Sequence, residues 1–116
     1  MQMKVLITGS RTGITEKKVV DVLNDYVDIR KDIDTIIHGG AVGVDLFSSN
    51  WCKSTEVCEV CVRPIREDIG TYYLHRNAEM VAMCDEVIAF WDGKSRGTKF
   101  TIDYAKARGK KVTIIK

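Results

Sequence analysis

The chain has 116 residues, 45% of them apolar and 29% charged, with a single proline; that length buries a core without disulfide or metal staples, and the composition excludes a disordered tail. Its 18 basic and 16 acidic residues leave a formal charge of +2, which excludes a bulk electrostatic case for nucleic acid. No apolar run approaches the roughly 20 residues of a membrane span, and Met1 to Ser10 lacks the layout of a signal peptide, so one domain over residues 1–116, cytoplasmic and with no membrane partner, is expected.

Lys4 to Thr8 (KVLIT) is a short β-branched apolar run that stops at Gly9, as a buried parallel strand does. Val19, Val20, Leu23 and Val27 then recur at helical spacing, with Thr15 as cap and Glu16 in the first turn. Thr35 to His38 reads as the second strand, ending at Gly39 and Gly40. Val44, Phe47 and Trp51 mark one face of a second helix. Val57 to Val62 reads as the third strand, closed by Pro64. A polar loop leads to a helix from about Tyr72 to Met83, with Leu74, Ala78, Val81 and Ala82 inward. Glu86 to Trp91 is the fourth strand. After DGKSRG a helix carries Ile102 and Ala105 as far as Gly109, a natural residue for closing a helix. Lys111 to Ile115 is the fifth strand.

Five strands alternating with four helices predict an α/β, Rossmann-like, three-layer α/β/α fold, with a five-stranded parallel sheet of order 3-2-1-4-5. In such a sheet a ligand lies beyond the carboxyl ends of the strands, at the switch between strands one and four.

Four cysteines without an export signal read as reduced thiols. Cys58 and Cys61 form a CxxC, but on a strand, where residues three apart face opposite sides. No second pair or histidine cluster supplies further zinc ligands, so no metal is expected, and a redox role for the pair is disfavoured.

Three glycine-rich loops follow strands that the predicted order makes neighbours: Gly9-Ser10-Arg11-Thr12-Gly13, Gly39-Gly40-Ala41-Val42-Gly43 and Gly93-Lys94-Ser95-Arg96-Gly97-Thr98. Glycines let the main chain approach a ligand, and the helix that follows presents free N–H groups and its positive dipole end to an anion. Phosphate suits these features. Ser10, Ser95 and Thr98 add hydroxyl donors, and Arg11 and Arg96 add charge-assisted bonds. There is no GxxxxGK[ST], and GGAVG is not the GxGxxG dinucleotide fingerprint. Helix three starts at the same sheet edge, which brings Tyr72, His75, Arg76 and Asn77 over the pocket. Asp45 reads equally as a complement to the dipole of helix two or as a ligand contact. His38 reads as a packed turn histidine, and Trp91 as core or as a stacking platform.

Gly9-Ser10-Arg11, HGGAVGVD from His38 to Asp45, Arg76-Asn77 with Met80, and AFWDGKSRGT from Ala89 to Thr98 together resemble the small DUF2493 type of SLOG-superfamily protein, over nearly the whole chain. The wider superfamily includes the Lonely Guy phosphoribohydrolases, the DNA-processing protein DprA and sensors of nucleotide-derived signals, so the resemblance implies a Rossmann-like fold and a nucleotide-related ligand. Arg76 and Met80 fit the helix motif of the Lonely Guy enzymes, and Gly97-Thr98 the GT of their PGGxGT loop. Where their catalytic glutamate follows, this chain has Thr101, which cannot act as a carboxylate base. Glu79 and Asp103 do not occupy the matching place.

The leading expectation is binding or sensing of a phosphate-bearing nucleotide or nucleotide-derived ligand, related to NAD or ADP-ribose. Its contacts would be Gly9, Ser10, Arg11, Gly39, Gly40, Ala41, Gly43, Asp45, Arg76, Asn77, Trp91, Ser95, Arg96, Gly97 and Thr98. No further cofactor is expected beyond a bound nucleotide or phosphate. The alternative from another class is an enzyme acting at a nucleotide's glycosidic bond, with Arg76 and Asp45 as catalytic candidates. A third is DprA-like single-stranded nucleic-acid binding through Lys94, Arg96, Lys99, Lys106, Arg108, Lys110 and Lys111. Phe100 and Tyr104 on an exposed helix face suggest a homodimer.

Overall fold

The computed structural model describes residues 3–29, 32–66 and 70–116. In chain order its elements are β1 (Met3–Gly9), α1 (Glu16–Ile29), β2 (Ile33–His38), α2 (Val44–Lys53), β3 (Cys58–Cys61), α3 (Gly70–Met83), β4 (Glu86–Phe90), α4 (Arg96–Ala107) and β5 (Lys111–Ile115). The strands lie in the order β3-β2-β1-β4-β5, and every neighbouring pair is parallel. This is the α/β, Rossmann-like, three-layer architecture that the element order implies.

Strand periodicity sorts the core into two layers, because successive side chains point to opposite faces. Val5 and Ile7 of β1 join Ile36, Ile88 and Phe90 under Val19 and Leu23 of α1 and Val44 and Trp51 of α2. Leu6 joins Ile37 and Val87 on the other face, under Met80 and Val81 of α3 and Ala105 of α4. The indole N–H of Trp51 donates to Asn24 Oδ1 at 2.8 Å, which satisfies its polar atom while the ring fills the space between α1 and α2. The Thr15 hydroxyl accepts from the Lys18 amide at 3.2 Å, so the expected cap of α1 is present. At the end of α4, Gly109 and Lys110 donate to the carbonyls of Lys106 and Ala105, the Schellman pattern of a helix stopped by glycine.

Element ends differ by a residue or two from the sequence reading: β2 begins at Ile33, β3 is shorter, and α3 begins at Gly70. Residues 67–69 of the loop expected after Pro64 lie outside the described residues. The inward face of α3 is the larger correction. Leu74 and Ala82 are exposed, and Arg76, Asn77, Met80 and Val81 are buried. An apolar count places Leu74 inside, but Arg76 finds carbonyl partners at the sheet edge, Asn77 accepts from it, and the two take the inward positions. Cys58 and Cys61 are free and exposed. Burial pushes the Cys52 thiol up to about 12, which leaves it inert packing. Among the described residues no helix is long and apolar enough to cross a membrane.

Ile7 lies fully buried in the central strand, so Ile7→Ala should lower unfolding free energy by about 2–5 kcal/mol through lost transfer energy and a cavity. Ile29, 79% exposed, should change by no more than about 0.5 kcal/mol on the same substitution. Urea unfolding of both variants checks the contrast.

Candidate functional site

The carboxyl ends of β1, β2 and β4 surround a cavity of about 400 Å³, lined by Thr8, Gly9, Ser10, Arg11, Thr12, Ala41, Asp45, Tyr73, Arg76, Asn77, Met80, Asp92, Ser95, Gly97 and Thr98. It sits at the switch between β1 and β4, where ligands of open α/β sheets bind. Ten of the residues singled out in the sequence meet here: Gly9, Ser10, Arg11, Ala41, Asp45, Arg76, Asn77, Ser95, Gly97 and Thr98. Gly39 and Gly40 instead line an adjoining cavity of about 200 Å³. Trp91 lines a third, of about 260 Å³, with Gly13 and Ile14, and its indole N–H donates to the Ser95 carbonyl at 3.0 Å. Arg96 is exposed at the first turn of α4 and outside these cavities. Gly43 lies behind the wall rather than on it, and holds two loops together. Its φ of +80° is a left-handed conformation, and a Cβ there would lie 2.5 Å from the Arg11 carbonyl oxygen, so only glycine serves.

Arg76 organises the site. It is 7% exposed, yet it carries an obligate cation from α3 to the sheet edge. Its Nη1 donates to the carbonyls of Gly39 at 2.6 Å and Val62 at 3.2 Å, and its Nε donates to Asn77 Oδ1 at 2.8 Å. Nη2 has no hydrogen-bond partner among the described residues. The guanidinium fills the place where a Gly39 Cβ would lie, 2.3 Å from Nη1, so a side chain at position 39 would displace the arginine from its bonds. Burial lowers the Arg76 pKa from its ordinary value, and the charge of Asp45 opposes that shift. The Tyr73 ring packs against two cations, with Arg76 Cζ 5.3 Å and Arg11 Cζ 6.0 Å from its centroid, a favourable arrangement for each.

The loop after β2 is closed on itself. Asp45 Oδ2 accepts from the amides of Gly39 at 3.1 Å and Ala41 at 3.2 Å. His38 Nδ1 accepts from the Gly40 amide at 3.0 Å, which leaves Nε2 to donate to Glu59 at 2.7 Å. The sequence reading expected this loop to offer its amides to an anion, but the first three are engaged within the chain. Asp45 thus closes its own loop, a structural role other than the dipole complement weighed for it, and it also lines the cavity. His38 is the packed turn residue it was expected to be.

The loops after β1 and β4 carry the available donors. The amides of Arg11 and Thr12, and that of Gly97 in the first turn of α4, have no hydrogen-bond partner among the described residues. Ser95 caps α4, accepting from the Thr98 amide at 3.4 Å. Asp92 Oδ1 accepts from the amides of Lys94 at 2.8 Å and Ser95 at 2.9 Å, and these bonds hold its carboxyl below the ordinary value. The Asp92 amide donates in turn to Ser10 Oγ at 3.2 Å, joining loop one to loop four. Thr101 is fully buried and its hydroxyl donates to the Gly97 carbonyl at 3.0 Å, so it is turned onto its own helix and away from the cavity.

Sequence reasoning missed Thr8, Thr12, Tyr73 and Asp92. Asp92 was legible as an acceptor one residue before a glycine turn, and Tyr73 as the residue one helical turn before Arg76. Thr12 lay within the first glycine-rich loop without being singled out, and nothing in the sequence marked Thr8.

Asp45→Ala should cost about 1–3 kcal/mol for each amide left without an acceptor, whereas Asp45→Asn keeps one oxygen for both and should cost less. Burial raises the Asp45 pKa above the ordinary carboxylate value. The native state therefore binds this proton more tightly than the unfolded chain, and the associated stability is fully present below the unfolded pKa and lost as pH rises through the folded one. Urea titrations between pH 4 and 7 should show the wild type losing ground to Asp45→Asn as pH rises.

No family model and no curated protein matches the chain. Solved structures do. DNA processing protein A from Streptococcus pneumoniae superposes with a TM-score of 0.84 at 18% identity, covering 99% of this chain and 50% of that one. DNA processing protein A from Helicobacter pylori, described for a single-stranded DNA binding mode, gives 0.77 at 19% identity, covering 97% and 64%. The structural-genomics protein TM1055 gives 0.68 at 24% identity, covering 97% and 72%. The chain thus spans about half to two thirds of the length of the DNA processing proteins, and what it shares with all three is the Rossmann-like α/β fold.

Proposed function

We propose that the central cavity binds a phosphate-bearing nucleotide or nucleotide-derived ligand, related to NAD or ADP-ribose, and that the protein is a binding or sensing module of the DUF2493 type. One observation carries the reading: the amides of Arg11, Thr12 and Gly97 and the Nη2 of Arg76, all without a partner among the described residues, belong to residues lining one cavity. Amides at a helix start beside a guanidinium form a donor set for a phosphate dianion. The two carboxylates on the cavity, Asp45 and Asp92, hold backbone amides, which favours binding over general-base hydrolysis of a glycosidic bond. Self-association through α4, where Phe100 stacks on Tyr104, belongs to the same reading. Native mass spectrometry of purified protein reads subunit number and retained ligand together.

A second reading, single-stranded nucleic-acid binding, draws on the likeness to DNA processing protein A. Of the basic residues near the C-terminus, Lys99 pairs with Asp103 at 2.7 Å, Lys110 donates to the Cys84 carbonyl at 2.7 Å, and Arg108 lies over the Tyr104 ring. That engagement subtracts from a free phosphate-binding track. A gel shift with single-stranded DNA at low salt, lost on neutralising Lys94 and Arg96, would favour this reading; no shift would remove it.

Calorimetry against nucleoside monophosphates, dinucleotides and ADP-ribose should give saturable binding, and silence at millimolar ligand sinks the proposal. Arg11→Ala removes an exposed side chain, so affinity should fall by about tenfold or more, the worth of a charge-assisted bond, with the melting temperature unchanged. Chromatography after long incubation should show no free base or ribose phosphate.

A further inference from the structure

Three polar side chains on the wall of the central cavity are more than nine-tenths buried, with Asp45 8% exposed and Arg76 and Asn77 each 7% exposed. The protein fixes one part of each and leaves another part uncommitted. Asp45 Oδ2 takes both the Gly39 and the Ala41 amide, and Oδ1 has no partner among the described residues. Asn77 Oδ1 accepts from Arg76 Nε, which settles the orientation of the carboxamide; its Nδ2, a donor of two hydrogens, has no partner among the described residues. Arg76 Nη2 is the third such atom. Among the described residues the one buried side-chain polar atom that is both sealed and unpaired is Asp34 Oδ1. Asp45 Oδ1, Asn77 Nδ2 and Arg76 Nη2 therefore keep access to open space.

These side chains form one assembly. Gly39 donates its amide to Asp45 and offers its carbonyl to Arg76, and Arg76 is bonded in turn to Asn77. The assembly gathers at the β2 side of the cavity, since Asp45 follows β2 and Arg76 reaches the ends of β2 and β3. The free amides of Arg11, Thr12 and Gly97 follow β1 and β4 instead. Neighbouring strands lie ~4.8 Å apart, so the cavity has two adjacent regions of different character. The amide region has donors only and suits a phosphate. A carboxylate has acceptors only, which makes Asp45 a poor partner for an anion. A carboxylate oxygen and a carboxamide N–H on one wall suit a group that donates and accepts at once, and a hydroxyl is that group.

We propose that Asp45 and Asn77 read the sugar of the ligand, holding a ribose 2′-hydroxyl between them: Asp45 Oδ1 accepts its proton and Asn77 Nδ2 donates to its oxygen. The inference rests on the nucleotide reading of the central cavity and narrows the ligand class to ribonucleotides. A site built to bond a hydroxyl rejects the analogue that lacks it, because the buried groups are then left unpaired.

Calorimetry with AMP and 2′-deoxy-AMP tests it. The wild type should bind AMP about tenfold or more tightly, the worth of a hydrogen bond to a charged group. Asp45→Asn keeps one oxygen for the two loop amides and places an amide nitrogen where Oδ1 was, so the preference should shrink to about twofold or less. The ratio is the readout, since a substitution that only loosened the site would weaken both ligands alike. NMR of the wild type adds a measurement that needs no substitution: the side-chain amide signals of Asn77 should shift on saturation with AMP and stay in place with 2′-deoxy-AMP. If the two ligands bind the wild type equally, if Asp45→Asn leaves the preference intact, or if the Asn77 signals respond alike to both, the sugar subsite is overturned and the central site stands. If neither ligand binds at millimolar concentration, the nucleotide reading falls and the subsite with it.

Discussion

A cation that cannot shed its proton is buried at the edge of a parallel sheet, and the surrounding loops are arranged to satisfy it. Arg76 needs carbonyl oxygens within reach, and the ends of β2 and β3 supply them through Gly39 and Val62. It needs space, which only a residue without a side chain at position 39 leaves. It needs its acceptor held in place, and Asp45 closes the loop that positions Gly39. Burying a guanidinium is costly unless its donors and its charge are met. Here they are met incompletely, and the remaining donor belongs to a side chain on the cavity wall.

Fold class and strand order followed from alternating strand and helix patterns, because buried parallel strands and amphipathic helices leave their periods in the residues. Leu74 shows where that method stops. Periodicity ranks residues by hydropathy, while the structure ranks them by whether partners exist, and Arg76 and Asn77 displaced an apolar residue because theirs did. The loops divide in the same way. Glycine spacing located all three, but whether an amide is free or engaged depends on contacts such as Asp45 to Gly39 and His38 to Gly40, which no local pattern encodes. The spacing to Arg76 places Tyr73 on the same helix face, but its contact with Arg11 arises only in the fold, where the loop after β1 comes against it.

The carboxylates and Thr101 define the chemical character of the site together. Asp45 and Asp92 each spend an oxygen on two main-chain amides, and such an oxygen orients a loop in preference to accepting a substrate proton. Thr101 is sealed onto its own helix by its bond to Gly97. The arrangement is rich in donors and poor in bases, a balance suited to holding an anion.

The contact between Gly43 and the main chain of Arg11, with the bond from the Asp92 amide to Ser10, ties the three loops into one girdle around the cavity. Each loop braces the next, so their conformational freedom is largely surrendered during folding, before any ligand arrives. Association then has less disorder to remove from the rim and keeps more of its contact energy as affinity.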